Sequence, residues 1–447
     1  MKEALFRELR RFTTDYSKRF LFLAIIVSLN LFFLVSSSSG ETPQGIDKAD
    51  TAWILTSTAL VMLMTPGLAI FYAGMTRKKN VLGTMMHSFF ILSLISVQWV
   101  IWGYSLSFGS DIGGIIGGLG HFVLNGVGIE PKGTIPHLAF MMFQGMFAII
   151  TVALITGAFA ERVKFSMVVV FSLLWTTLVY DPLCHWIWGG GWLSKFGVLD
   201  FAGGMVVHIS CGVSALVAAI LVGKRRGYPK ELMPPHNLGL TVLGMGLLWF
   251  GWFGFNAGSA LASDGLAATA FVTTNTAAAV ATITWVFIEW KHRGKPTMLG
   301  ALSGSVAGLG SITPAAGFVG IGSSIIIGLI GGTVCYWGVS ILKPKLGYDD
   351  TLDVFGIHGI AGTWGSLATG LFASKLINPA GADGVFFGNT WQIVPQITGV
   401  IVTWLLAGVL TFIIIKLLDA VMGLRVTDED EVMGLDLSQH GESGYNF

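Results

Sequence analysis

Apolar runs long enough to cross a bilayer constrain this chain more than any other feature. Eleven of them follow one another, at roughly 51–75, 81–108, 135–160, 165–187, 199–222, 237–260, 265–290, 297–315, 318–342, 354–374 and 391–420. Each is near the ~20 residues a helix needs to cross ~30 Å of hydrocarbon. The spacing predicts an all-α polytopic membrane protein with eleven transmembrane helices. Of the 447 residues, 53% are hydrophobic and 11% charged, too little charge for a soluble chain of this length. The 60 glycines fall inside the runs rather than between them. In a membrane, small residues let helix backbones approach closely. The run at 297–315 is Gly/Ser-rich and weakly hydrophobic, so it is expected to be shielded by other helices.

Three regions follow: residues 1–40, a transmembrane domain over 50–420, and a tail over 421–447. Residues 1–19 are rich in Arg and Lys, 20–35 are apolar, and Ser36 to Ser39 follow. That order reads as a signal peptide or an uncleaved signal anchor. Either places the region near residue 45 outside. Alternate loops then differ sharply in charge. One set holds Arg77, Lys78, Lys79, Arg162, Lys164, Lys224, Arg225, Arg226, Lys230, Lys291, Arg293, Lys295, Lys343 and Lys345; the other holds only Lys132, Lys195 and Lys375. Cytoplasmic loops carry the Lys/Arg excess, so the mature N-terminus is expected outside and the C-terminus in the cytoplasm.

Ionisable residues inside a span are costly and are functional candidates by default. His208 stands mid-span in DFAGGMVVHISCG (200–212) and His358 in DVFGIHGIAG (353–362). Each segment runs from an Asp through apolar and Gly residues to His, with Gly four positions on. They fall in the fifth and tenth spans, which suggests a five-plus-five inverted repeat with the histidines meeting near the midplane. One reading makes each His a polar link between helices. The other makes the pair a shared site, since two neutral imidazoles can bond each other and still offer a donor or acceptor to a small polar guest. Asp200, at the outer end of its span, fits a helix N-cap or a source of negative potential at a cation entrance.

Aromatic residues gather beside glycine in FQGMF (143–147), HWIWGGGW (185–192) and WFGFNAGS (252–259). Trp188 fits an interfacial belt, and Phe147 and Phe255 fit a core. A Trp face with a hydroxyl can also hold a small cation by cation–π attraction and one hydrogen bond. Cys184, Cys211 and Cys335 lie in apolar runs and read as small buried hydrophobes, not a disulfide framework or metal site. A net charge of +1 gives no pointer to nucleic acid. No nucleophile–base set, metal-ligand spacing or phosphate loop suggests an enzyme or a cofactor.

From about Asp50 to its end the chain resembles the ammonium transporter (Amt/Mep/Rh) family, on the bacterial Amt side. The strings that carry the likeness are TPGLAIFYAGMTRKKNVL (65–82), FQGMFAIIT (143–151), GAFAERVKFS (157–166), HWIWGGGW (185–192), DFAGGMVVHI (200–209), GWFGFNAGS (251–259), TPAAGFVG (313–320) and DVFGIHG (353–359). The resemblance implies a homotrimer of eleven-helix subunits in the plasma (inner) membrane, each with its own pore for ammonium or ammonia. By position it implies that Trp188, Ser259 and Phe143 form an external recognition site. It implies that Phe147 and Phe255 close the pore below, that His208 and His358 are its twin histidines, that Trp252 lines it, and that Asp200 is the acidic residue near the entrance. The tail, 423–447, resembles one that packs under the subunits and works with a P-II-type signal protein. A solvated acidic stretch is the other reading of Asp428 to Glu431. The basic extension before residue 20 is longer than bacterial members carry.

The expected mechanism follows from cost. A bare cation in an apolar conduit is penalised by many kcal/mol. Ammonium, unlike K⁺, can shed a proton and cross as neutral ammonia. An ammonia gas channel, a sensor with little flux acting through a P-II protein, and a channel for another small neutral solute, such as CO₂ or methylamine, are the rival readings to net ammonium transfer.

Overall fold

The computed structural model describes residues 45–445. The expected signal peptide or anchor at 1–40 lies outside the described residues. The principal helices are α1 (Lys48–Met75), α2 (Lys78–Phe108), α3 (His137–Ala158), α4 (165–187), α5 (Gly204–Val222), α6 (Leu238–Gly258), α7 (Gly265–Arg293), α8 (Met298–Ile312), α9 (Ile321–Leu346), α10 (354–372) and α11 (Thr390–Met422). Two short tail helices follow, α12 (Asp428–Met433) and α13 (Leu435–His440). Among the described residues, nine helices are long and apolar enough to cross a membrane, all but α8 and α10. Beyond the helices, two antiparallel two-stranded hairpins stand between α2 and α3: β1 (Asp111–Ile112) with β2 (Ile116–Gly117), and β3 (Pro131–Lys132) with β4 (Ile135–Pro136).

The surface is apolar where a soluble protein would be polar. Phe89, Leu243, Phe250, Phe287 and Leu405 are all more than half exposed, as side chains facing lipid are. The glycines act where helices touch. A Cβ on Gly254 of α6 would come 2.6 Å from Leu60 Cβ and 2.8 Å from Ser57 O of α1, closer than atoms can stand, so only glycine permits this seam. Helix α8, the weak run, is buried continuously from Leu302 to Ile312. Its lack of apolar side chains is made good by protein neighbours on all sides. Cys184, Cys211 and Cys335 are free and buried.

Two sets of helices have matching neighbours. In the first, α1 packs on α2 and α3, and α2 on α3 and α4; in the second, α6 packs on α7 and α8, and α7 on α8 and α9. The sets meet where α1 lies on α6 and α5 on α10.

The basic loops gather at one end of the bundle. Arg225 forks onto Asp349, with Nε to Oδ2 and Nη2 to Oδ1 both at 2.9 Å, and reaches Glu161 at 3.2 Å; Arg77 Nε donates to Glu161 at 2.8 Å. Fully buried Arg162 donates to the carbonyls of Ala158, Ala160, Gly223 and Asp349 and to the Thr351 hydroxyl. The tail docks on these loops. Glu431, 1% exposed, accepts from Arg425 and from the Arg226 amide, and Asp436 accepts from the Gly83 amide at 2.8 Å. Asp428 and Glu429 remain exposed. The acidic stretch is therefore divided: Asp428 and Glu429 are solvated, Asp430 caps its own helix and Glu431 is the clasp.

Candidate functional site

The site begins with a strap at the start of α5. Asp200 accepts four backbone N–H groups: those of Gly203 and Gly204 on Oδ1, at 2.9 and 2.6 Å, and those of Met205 and Val206 on Oδ2, at 2.8 and 3.2 Å. These are the donors a helix start leaves unpaired, and a carboxylate also favours the positive end of the helix. Gly203 takes φ +116°, a left-handed turn that lets the chain fold over the carboxylate. The Asp200 carbonyl, free of this duty, accepts the Trp188 indole N–H at 2.8 Å. One residue thus fixes both the α5 start and the Trp188 ring. Trp188 belongs to no lipid-facing belt.

A second strap serves α10. The Phe355 amide donates to Asp350 Oδ2 at 2.8 Å. The sequence pattern matches Asp200 with Asp353, but Asp353 pairs with Lys343 at 2.6 Å. The counterpart is Asp350, eight residues before His358 as Asp200 is eight before His208. Both histidines lie in π-helical turns, Gly204–Ile209 and Phe355–Gly359, a distortion that concentrates at functional sites.

The rings meet across the α5–α10 contact. His208 Nδ1 and His358 Nδ1 are 3.2 Å apart, with the rings nearly parallel at 13°. Small residues make this approach possible. A Cβ on Gly362 would sit 2.9 Å from His208 Cβ, and one on Gly212 would strike the Gly359 backbone. Trp252 stacks on His208 at 5.4 Å and is itself held by its N–H to Thr313 Oγ1 at 2.9 Å. Both histidines border a small cavity of about 20 Å³, otherwise walled by apolar groups such as Leu68, Ile150, Leu248 and Val306. That volume is room for about one water-sized molecule. His208 Nε2 is buried and has no hydrogen-bond partner among the described residues.

An outer cavity of about 410 Å³ opens towards the other end, bordered by Trp188, Asp200, Ser259, Gln144 and Phe147. Between the two cavities stand Phe147 and Phe255, with centroids 4.3 Å apart and each 1% exposed. Ser259 donates its hydroxyl hydrogen to Phe255 O at 2.8 Å, which leaves its oxygen as an acceptor. Phe143 lies behind Phe147, edge to face at 5.0 Å and fully buried, and is not among the residues lining the outer cavity. Phe140 and Gln144 are, seven and three positions before Phe147 respectively, on the same helical face. The 3–4 spacing within α3 was the signal for them. Thr313 and Asp350 were also missed: the Thr313 contact does not follow from spacing along the chain, and Asp350 shares the eight-residue spacing but lies outside the motif that begins at Asp353. Among the described residues, no group of three or more His, Cys, Asp or Glu is arranged to hold a metal ion.

The arrangement can receive a small polar cation in the outer cavity, exclude it at the phenylalanine pair, and hydrogen-bond a neutral guest below. Similarity to known proteins points the same way. The family model described as the Ammonium Transporter Family matches residues 52–445. A Bacillus subtilis protein named ammonium transporter is 55% identical over 399 residues, covering 89% of this chain and 98% of that one. The crystal structure of Candida albicans Mep2 superposes with a TM-score of 0.84 at 37% identity, covering 91% of this chain and 92% of that one. A structure named Sensor Amt Protein gives 0.82 at 30%, covering 88% and 98%. With a family match across nearly its whole length and relatives above half identity, this chain belongs to the ammonium transporter family.

Proposed function

We propose that the chain carries ammonium across a membrane by separating it into a proton and ammonia at the floor of the outer cavity. The observation that carries this reading is the pair of buried imidazoles bordering an apolar space of single-molecule size below the Phe147–Phe255 pair. Trp188 offers a π face and Ser259 an acceptor oxygen to the ion. Past the rings, a bare cation meets hydrocarbon. The N–H bond breaks with its electron pair left on nitrogen, and ammonia enters. Within the pair, one Nδ1–H donates to the other Nδ1. The donor ring then presents an acceptor Nε2 and its partner an Nε2–H donor, so ammonia can be met in either role. The same bonded pair offers the released proton a route. K⁺ has no proton to lose and is rejected by the Born cost.

Around this pore, the matched neighbours of the two helix sets and the paired Asp200 and Asp350 straps support a five-plus-five inverted repeat of eleven spans. The basic loops support a cytoplasmic position for the end that carries the tail. We read the tail, clasped through Glu431 and Asp436, as a regulatory element whose exposed face meets a P-II-type protein. We take the assembly to be a homotrimer in the inner membrane.

Current recorded from proteoliposomes on solid-supported membranes tests the mechanism. Ammonium should evoke current and K⁺ none. Replacing both His208 and His358 by Leu should abolish the current or admit K⁺. Unchanged, selective current in that variant would refute the relay. Ammonia flux without current in the unaltered protein would make it a gas channel, and binding without flux a sensor.

A further inference from the structure

Lys132 carries a positive charge at the mouth of a cation pathway, and among the described residues no acid pairs with it. It lies in β3, and its Nζ stands 4.5 Å from the Phe140 ring centroid, 5.6 Å from Phe108 and 5.8 Å from Tyr104. It donates to the Tyr104 hydroxyl at 3.4 Å. Glu130, two residues away, is engaged elsewhere: one carboxylate oxygen meets His137 Nδ1 at 2.9 Å and the Gly128 amide at 3.0 Å. The Tyr104 hydroxyl also meets His137 Nε2. By contrast Lys195, at the same end, pairs with Asp111 at 2.6 Å. Burial pulls the Lys132 amine below its ordinary value, with no acid to pull it back. Three rings around one ammonium make a cation–π cage. Two of them, Phe108 and Phe140, also line the outer cavity.

We propose that Lys132 is a specificity-determining residue of transport: a resident ammonium whose charge, acting through Phe108 and Phe140, weakens cation binding in the outer cavity and promotes proton loss from bound ammonium. The proposal rests on the outer cavity being the recognition site. A ring already attracted to one cation has less negative potential left for a second. Direct repulsion adds to this. A cation held against the cavity side of Phe140 would lie roughly 9 Å or less from Nζ, where repulsion at an effective dielectric constant of about 20 changes an equilibrium on the order of twentyfold. Neutral ammonia feels neither effect. Because only the charged form is penalised, the bound ion becomes a stronger acid by the same factor by which it binds less tightly. A loosely held, readily deprotonated ion turns over faster than one trapped by its site.

The test compares half-saturating ammonium and maximal current in proteoliposomes for the full chain and for Lys132→Met, Lys132→Gln and Lys132→Arg. Met keeps the length of the side chain, and Gln keeps a donor for Tyr104. Loss of charge should lower the half-saturating concentration about tenfold or more and lower the maximal current. Arg should restore both towards the starting values, which a purely structural role would not predict for that larger head group. If Met and Gln leave half-saturation unchanged or raise it, the proposal is overturned. Trp188→Ala separates this failure from failure of the site. If it weakens apparent affinity about tenfold while the Lys132 variants do nothing, recognition stands and only the role of Lys132 falls. If it has no effect, the recognition site lies elsewhere and both fall.

Discussion

Replacing Asp200 by Asn is the most informative single change, because it removes a charge while keeping the side chain's shape. The carboxylate holds four N–H groups, two on each oxygen. An amide has one oxygen, and its NH₂ must face the other two donors. Two charge-assisted bonds are lost, each worth about 1.5–3 kcal/mol, so the strap weakens by about 3–6 kcal/mol. Set against a typical net stability of about 5–15 kcal/mol, that is a large fraction held at one place. The start of α5 should fray. His208, four residues inside the π turn, loses its register with His358, and Trp188 loses its fixed acceptor at Asp200 O. The expected result is a fall of several degrees in the thermal midpoint of detergent-purified protein. Ammonium current in proteoliposomes should drop by a factor of ten or more. Asp200→Glu, which keeps the charge on a longer arm, should fall between. An unchanged midpoint in Asp200→Asn would refute the strap argument. Current lost without loss of stability would assign the residue to electrostatics alone.

Two other changes probe what holds the pore. Gly212→Ala places a methyl against the Gly359 backbone; overpacking of this kind costs about 1–3 kcal/mol. It should lower the melting temperature and reduce current by parting the imidazoles, and normal current would show that α5 and α10 have slack. At the basic end, burial alone would push the Asp349 carboxyl up, but the Arg225 guanidinium beside it holds it below the usual carboxylate range. A depressed carboxyl stabilises the fold above its unfolded value of about 3.9 and loses that contribution as pH falls through the folded value. Thermal midpoints measured downwards from pH 6 should therefore decline on the acid side. Asp349→Asn should be less stable at neutral pH and show a flatter decline. An unaltered acid limb in that variant would remove Asp349 from the account.

Much of this protein was legible from its sequence, and the reason is the solvent. Hydrocarbon leaves the backbone no partner but itself, so run length alone located the helices to within a few residues. α1 begins at Lys48 against an expected 51, and α11 ends at Met422 against 420. The weakness of 297–315 told in advance that it would be enclosed. His208 and His358 stood out because an imidazole in a span needs a reason, and their matched spans brought them within 3.2 Å of each other.

What the sequence could not decide is which partners a side chain chooses across the fold. The Asp-to-His motif matched Asp200 with Asp353; the folded backbone shows that Asp350 bonds the α10 start while Asp353 turns to Lys343. Composition left Asp200 between cap and entrance charge, and the structure makes it a strap that also borders the cavity. Phe143 was grouped with the recognition residues by motif, yet helix rotation sets it behind Phe147 and brings Phe140 and Gln144 to the cavity. Lys132 was one basic residue among a sparse outer set until the hairpin laid it against three rings. Hydropathy is a property of single residues summed along a chain, so it survives in one dimension. Which side chains meet depends on helix rotation, tilt and register, which packing of all the helices fixes together.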